Sequence, residues 1–328
     1  MLRRLSIHNR SAGELRQLAM ERREQAATKT GNIRALLLKE AQLLEFQVEL
    51  RNWAERPNIE TQPESPRDLR PAGLPSIPYE LATLVAKLSS RLGLAAADQQ
   101  AFLAAGTLPR FVQKDECLIE QGEEVAELVI LCNGMTHTVR TLSDGRQQIV
   151  AVSVAGDMLN AGGLHFRRAH NSTFALTPAI CMSIPLRQVE ALTNTRPAIA
   201  RALWLETAAQ AAIQQEWMVW LGRRAAQTRL AHFLCEISYR LQLCRSGLGD
   251  VFELPLTQRE LADLLGLSSV HVNRTLQNLR SRGLIELSHQ RLTVRNRAGL
   301  YEMAEFDPRY LDGSRFPPEE RPERAFRP

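Results

Sequence analysis

"LTQRELADLLGLSSVHVNRTLQNLRSRGLI", residues 256–285, sets two short amphipathic helical patterns around a single glycine, and the reading of the whole chain turns on it. Thr257 with Glu260 three residues later is a capping box, in which hydroxyl and carboxylate satisfy amides left open at a helix start. Leu261, Ala262 and Leu265 then share one face, and Gly266 lets the backbone reverse after two turns. A second helix starts at Ser268 or Ser269 with Val272, Leu276 and Leu279 on its inner side, and the small Ala262 lets the two helices cross closely. This is the pattern of a helix-turn-helix, whose second helix lies in the major groove of DNA.

The outer face of that helix carries Ser269, Val270, Asn273 and Arg274 as the expected base-reading residues. An arginine fork matches the O6 and N7 acceptors of guanine, and an exposed valine can touch a thymine methyl. Thr257, Arg259, Ser268 and the helix-start amides are placed for phosphates, which position a protein without reading sequence. After Gly283, residues 285–287 and 292–294 predict a hairpin wing with Arg291 and Arg295 near the DNA backbone. A helical hairpin of a protein that never meets DNA is the alternative; box, small alanine, glycine turn and wing together favour DNA.

Residues 226–312 thus form a winged helix-turn-helix domain, and the rest of the chain divides around it. Residues 197–225 are a long helix, with Pro197 in its first turn and Ile199, Leu203, Ala209, Ile213, Trp217 and Trp220 along one face. That stripe reads equally as core or as a dimer seam. Between 108 and 188, β-type runs at 128–131, 137–141, 148–152 and 179–184 are broken at Gln121-Gly122, Asn133-Gly134 and Asp144-Gly145, the rhythm of a small antiparallel barrel or jelly roll. With the helical passage at 80–105 it makes an effector domain over 80–196. The six prolines between Pro57 and Pro78 mark residues 57–79 as an extended linker. Residues 14–56 read as a helix, from Ile33, Leu37, Ala41, Leu44 and Val48, within an N-terminal extension over 1–56, and 313–328 as a disordered tail.

The net charge of +5 over 328 residues is a mild bias towards polyanions. Five cysteines without a C-x-x-C pair argue against a disulfide framework and a structural zinc site, which predicts a reduced, cytoplasmic chain. No apolar run is long enough for a membrane span and the N-terminus lacks a signal-peptide core, so no membrane partner is expected. Catalytic patterns are absent, and no enzymatic activity, metal or cofactor is expected.

A barrel, a long helix and a winged helix-turn-helix in that order resemble the Crp/Fnr family of bacterial transcription regulators over roughly residues 80–310. The resemblance is carried by "LGRRAAQTRLAHFLCEI" (221–237) and the 256–285 block, with "IEQGEE" (119–124), "LCNG" (131–134) and "VAGD" (154–157) in the barrel. It implies an α+β chain with a cyclic-nucleotide-binding-like jelly roll, a homodimer through the long helix, and binding to double-stranded DNA at a two-fold symmetric operator, with RNA polymerase open as a further partner. At the family's three base-reading positions this chain has Ser269, Val270 and Arg274, and only the arginine is kept. In family members that bind cyclic AMP, a Gly-Glu pair holds the ribose and an Arg followed by a small hydroxyl residue holds the phosphate. Here Asn160 and Ala161 stand for the first pair and His170 and Asn171 for the second, so the resemblance implies a degenerate effector pocket. Arg167 and Arg168 offer a shifted anion site, though loop arginines are usually solvated. An iron–sulfur cluster needs cysteines near the N-terminus, and residues 1–116 have none. Haem ligation by His165, His170 or Cys181 is the weaker reading beside ordinary exposed or hydrogen-bonded histidines. The rival function is a small-ligand sensor whose output is protein contact through the N-terminal helix.

Overall fold

The computed structural model describes residues 11–30, 92–107, 109–164, 166–244 and 250–312, with residues 34, 37, 41, 84, 87 and 88. Its first helix, α1 (Ala12–Ala27), opens on a second capping box, in which the Ser11 hydroxyl accepts from the Glu14 N–H and the Glu14 carboxylate takes the Ser11 N–H. The helix expected over 14–56 therefore starts earlier and is interrupted: α1 ends at Ala27, with Thr28 as its C-cap. The run Thr28, Lys29, Thr30, Gly31 has low helix propensity, and that outweighs the apolar spacing on either side. Of the expected stripe, Ala41 is buried and Leu37 half-buried; Ile33, Leu44 and Val48, the linker 57–79 and the tail 313–328 lie outside the described residues.

After α2 (Ala96–Ala105) the chain forms β1 (Arg110–Val112), β2 (Cys117–Ile119), β3 (Glu127–Asn133), β4 (Met135–Thr141), β5 (Gln147–Val154), a 3-10 turn (Ala161–Leu164), β6 (Ser172–Ala175) and β7 (Ala179–Pro185). These make two antiparallel sheets, in the orders β1-β7-β3 and β2-β6-β4-β5. Strand β3 is apolar without alternation because both its faces are covered. Leu128 and Ile130 join Phe102, Ile199 and Leu203 outside the roll, while Val129 and Leu131 join Val112 and Ala175 inside it. The expected turn glycines are all in place with positive φ, and at Gly134 a Cβ would sit 2.7 Å from the Pro178 carbonyl, which admits no larger residue between β3 and β4. The short strands β1, β2 and β6 escape a sequence reading because each has only three or four residues, fewer than period-2 alternation needs.

Helix α3 (Leu186–Thr195) leads into α4 (Pro197–Arg223), with Pro197 in the first turn as expected. The predicted stripe on α4 is core: Ile199 and Leu203 pack on the barrel side and Trp217 and Trp220 on the winged-helix side, with Ala209 and Ile213 half-buried. A second apolar strip on the same helix is uncovered, with Trp204 77% and Met218 69% exposed and Leu205 and Val219 about half exposed.

The C-terminal unit comprises α5 (Ala226–Cys244), β8 (Val251–Glu253), α6 (Gln258–Leu265), α7 (Ser269–Ser281), β9 (Ile285–Ser288), β10 (Arg291–Val294), α8 (Arg297–Ala304) and α9 (Arg309–Asp312). The wing is a three-stranded sheet, β8-β10-β9, with β8 added to the expected hairpin. This unit shares one apolar core with the barrel: Val139, Ile149 and Val152 of β4 and β5 belong to the same cluster as Leu261, Leu264 and Leu265 of α6. Full burial of such a side chain contributes about 1.5–3 kcal/mol. Gln148 also donates to the Leu264 carbonyl at 3.1 Å across that contact.

Candidate functional site

Helix α7 owes its orientation to two devices. Ser268 caps it, its hydroxyl accepting from the His271 N–H at 3.2 Å, and Val272, Thr275, Leu276 and Leu279 bury its inner side. The buried Thr275 satisfies its hydroxyl within the helix, donating to the His271 carbonyl at 2.8 Å. Ser269, Val270, Asn273 and Arg274 are all exposed, with Val270 at 73%, as are His271 and Gln277. An isolated valine this exposed gains nothing in the folded monomer. Arg274 makes no hydrogen bond or ion pair among the described residues.

These four side chains line one shallow depression of about 390 Å³ together with Gln258, the first residue of α6. Asn273 Nδ2 donates to Gln258 Oε1 at 3.3 Å. Sequence reasoning missed Gln258 because nothing in the period of α6 marks it; the crossing of α6 over α7 brings it to this face. Thr257 and Arg259 flank it at the same helix start. The Thr257 hydroxyl is engaged in the capping box, donating to Glu260 Oε2 at 2.7 Å and accepting from the Glu260 N–H at 3.2 Å. Its own amide is taken by the same carboxylate. The Ser268 hydroxyl is likewise held in its cap, and Arg259 is exposed. Arg291 stands apart on the wing, and Arg295 is paired there with Glu286, Nε to Oε2 at 3.0 Å.

The four residues of the degenerate pocket do come together. Asn160, Ala161, His170 and Asn171 line a cavity of about 390 Å³ inside the barrel, with Thr138, Ser153, Thr173 and Arg168 on its walls, Gln210 and Gln214 from α4, and Asp157 and Arg240 at its floor. Asn160 is spent on the fold: its Oδ1 accepts from the Val129 N–H and its Nδ2 donates to the Glu127 carbonyl, both at 2.9 Å. Arg168 donates to the Gly122 carbonyl at 2.7 Å, and Arg140 to the His170 carbonyl. Ring contact with Phe166 at 5.0 Å fixes the His170 imidazole edge-on. Cys132, Cys181 and Cys235 are buried, and burial pushes the Cys181 thiol up to about 12, so it stays protonated.

The floor holds the groups that sequence reasoning did not assign. Asp157 accepts from Lys87 at 2.9 Å, from Arg240 at 2.6 Å and from the Val154 N–H at 2.9 Å. Burial opposes its charge, but Lys87 and Arg240 win and hold its carboxyl well below the usual carboxylate range. Lys87 also reaches Glu206 of α4 at 2.7 Å. Arg240 comes from α5, in the winged-helix unit, and its second branch bonds Glu236 at 3.2 Å. Glu236 further accepts from Trp217 at 3.0 Å and Tyr310 at 2.8 Å; burial raises its pKa against the pull of Arg240. Tyr310 lies 3.1 Å from His232 Nε2, and Arg224 2.7 Å from His232 Nδ1. The same Nδ1 lies 3.2 Å from the Ala304 carbonyl, so the imidazole is held on both nitrogens. One largely buried polar chain thus runs from the cavity floor in the barrel to the turn between α4 and α5. Its sequence signal is a lone charge within an apolar run, Lys87 in "LVAKL" and Glu236 in "FLCEI", which demands a buried partner.

Comparison with known proteins agrees with this architecture. Residues 109–196 match the cyclic nucleotide-binding domain and residues 228–303 the Crp-like helix-turn-helix domain. The nitrogen fixation regulation protein FixK of Azorhizobium caulinodans is 30% identical over 203 residues, covering 61% of this chain and 80% of that protein. The transcriptional activator protein FnrL of Cereibacter sphaeroides is 29% identical over 188 residues, 56% of this chain and 75% of that one. Among solved structures, FixK2 from Bradyrhizobium japonicum superposes with a TM-score of 0.55 at 26% identity, covering 60% of this chain and 96% of that one. Antiparallel roll, long helix and helix-turn-helix occur here in one order and with their expected cores, and the chain belongs to the Crp/Fnr family of transcription regulators.

Proposed function

We propose that this chain is a sequence-specific DNA-binding regulator that acts as a homodimer on a two-fold symmetric operator and is not gated by cyclic AMP. The observation that carries the reading is the outer face of α7, where Ser269, Val270, Asn273 and Arg274 stand exposed on a helix whose other side is fully packed. Arg274 reads a guanine, Val270 meets a thymine methyl, and Ser269 and Asn273 complete the readout. Thr257, Arg259, Ser268 and Arg291 set the register on phosphates. For Thr257 and Ser268, engaged in their caps, the contact runs through the helix starts they organise. RNA polymerase is the further partner of a regulator bound at a promoter.

The dimer seam is the uncovered strip of α4, Trp204, Leu205, Met218 and Val219, because an apolar strip on so long a helix is what a second copy covers. This places two α7 helices about one DNA turn apart. Against cyclic AMP stands the spent amide of Asn160, together with His170 and Asn171 where an arginine fork would be needed. The test is in vitro selection of DNA sites by the purified protein. A symmetric site is expected, and Arg274→Ala abolishes the sequence preference while leaving the dimer intact; selection unchanged by Arg274→Ala overturns the reading helix. Calorimetry with cyclic AMP and cyclic GMP is expected to give no binding, and micromolar binding of either refutes that part.

A further inference from the structure

We infer that Gln258 is a specificity-determining positioning residue, which locks the amide of Asn273 so that Asn273 reads an adenine beside the guanine of Arg274. The inference rests on the assignment of α7 as the reading helix. Gln258 and Asn273 belong to different helices, both are exposed, and Asn273 Nδ2 donates to Gln258 Oε1 at 3.3 Å on the very depression that Ser269, Val270 and Arg274 line.

The chemistry of the amide gives the pairing its meaning. Adenine presents an N7 acceptor and an N6 donor in the major groove, and an asparagine matches both at once with its carbonyl oxygen and one amide hydrogen. That match uses the hydrogen on the oxygen's side of the amide and leaves the other hydrogen unused. An exposed asparagine is also free to turn its amide over, and the flipped form presents a donor where the acceptor is needed. A phosphate only accepts, so one taken by Gln258 Nε2 beside the helix start keeps Gln258 Oε1 towards Asn273, and turning the Asn273 amide over then sets oxygen against oxygen. The remaining hydrogen and Oδ1 of Asn273 then face the groove in the order adenine requires. The two Gln258 Nε2 hydrogens have no partner among the described residues, which leaves them for a phosphate beside the helix start or for the next base edge. This weighs more here than in a helix that reads with several charged groups, because Ser269 and Val270 supply no charge and no bidentate fork.

The experiment compares wild type, Gln258→Met, Asn273→Ala and the double variant on the selected DNA site and on its single-base variants. Methionine keeps length and helix propensity while removing the acceptor. Wild type is expected to prefer adenine at one position per half-site. Gln258→Met cuts that preference by about tenfold, with binding to the other three bases little changed and the salt dependence preserved. The double variant is expected to be no worse than Asn273→Ala alone. An unchanged preference, a loss equal for all four bases with a shallower salt dependence, or losses that add in the double variant each overturn the role of Gln258. Failure of the wild type to select any site, or persistence of its site in Arg274→Ala, refutes instead the reading helix on which the inference stands.

Discussion

Replacing Arg240 by methionine removes a cation that two buried carboxylates share across the joint between barrel and winged helix. The Arg240 side chain is 7% exposed, so solvent screens little of the loss. Unit charges 4 Å apart attract by about 4 kcal/mol at an effective dielectric constant near 20, and removing one member of a buried pair costs about 3–5 kcal/mol because its partner is left uncompensated. Methionine retains most of the aliphatic stem, so charge dominates the effect. Asp157 keeps Lys87 and the Val154 N–H, whereas Glu236 is left with the neutral donors Trp217 and Tyr310. Glu236, whose pKa burial already raises, therefore moves further up. A carboxyl with a raised folded-state pKa contributes stability below its unfolded value and loses it as pH rises through the folded one. The variant is thus weakest at neutral pH and recovers part of the loss in mild acid. Urea unfolding at about pH 7.5 and about pH 5.5, followed by tryptophan emission, reads this directly, since the Trp217 N–H bonds the affected carboxylate. Combined with Asp157→Asn, the two changes are expected to couple by about 1–3 kcal/mol. A loss below about 1 kcal/mol, as for a surface pair, equal losses at both pH values, or strict additivity refutes the reasoning.

Burial lowers the His232 pKa from 6.5 to about 4, so the unfolded chain takes up the proton first and stability falls as pH drops from 6.5 towards 4, by about 3 kcal/mol in all. His232→Gln removes that slope, and comparing the two profiles cancels the opposite slope of Glu236; parallel profiles refute it. Met218→Glu or Trp204→Glu places a charge in the proposed seam, and sedimentation velocity is expected to show monomer where wild type shows dimer; an unchanged sedimentation coefficient removes the seam. Gly134→Ala forces a left-handed backbone on alanine and a Cβ to 2.7 Å from the Pro178 carbonyl, for a loss of at least about 2 kcal/mol by thermal unfolding; a loss under half of that refutes the steric reading.

The winged helix was legible because its signals are local. Thr257 with Glu260, Gly266 and the inner face Val272, Leu276 and Leu279 each act within a few residues, and each is where the spacing places it. The barrel was legible at its turns and long strands and not at β1 or β2, which are strands only through pairing with β7 and β6. On α4 the apolar period was correct, yet period alone cannot distinguish a covered stripe from an uncovered one. Ile199, Leu203, Trp217 and Trp220 are core, and Trp204 and Met218, which no expectation named, are outside. The cavity floor was illegible for another reason: the pairs Lys87–Asp157, Asp157–Arg240 and Lys87–Glu206 join residues 70, 83 and 119 positions apart, and no local spacing encodes such pairs.

That floor also gives the Gly156-Asp157 turn its role in this chain. Gly156, at a φ of 89°, has Lys87 packed against it, and a Cβ there would sit 2.9 Å from the lysine stem. The glycine therefore serves to bring Lys87 onto Asp157, and Asp157 serves to receive Arg240 from the winged-helix unit. In a pocket that had to grip a phosphate, the arginine would project from the wall towards the ligand. Here the buried Arg240 is engaged by Asp157 of the barrel and Glu236 of its own helix, and it closes an ion pair between the two units. The cavity thus shares Asp157 and Arg240 with the joint between barrel and winged helix.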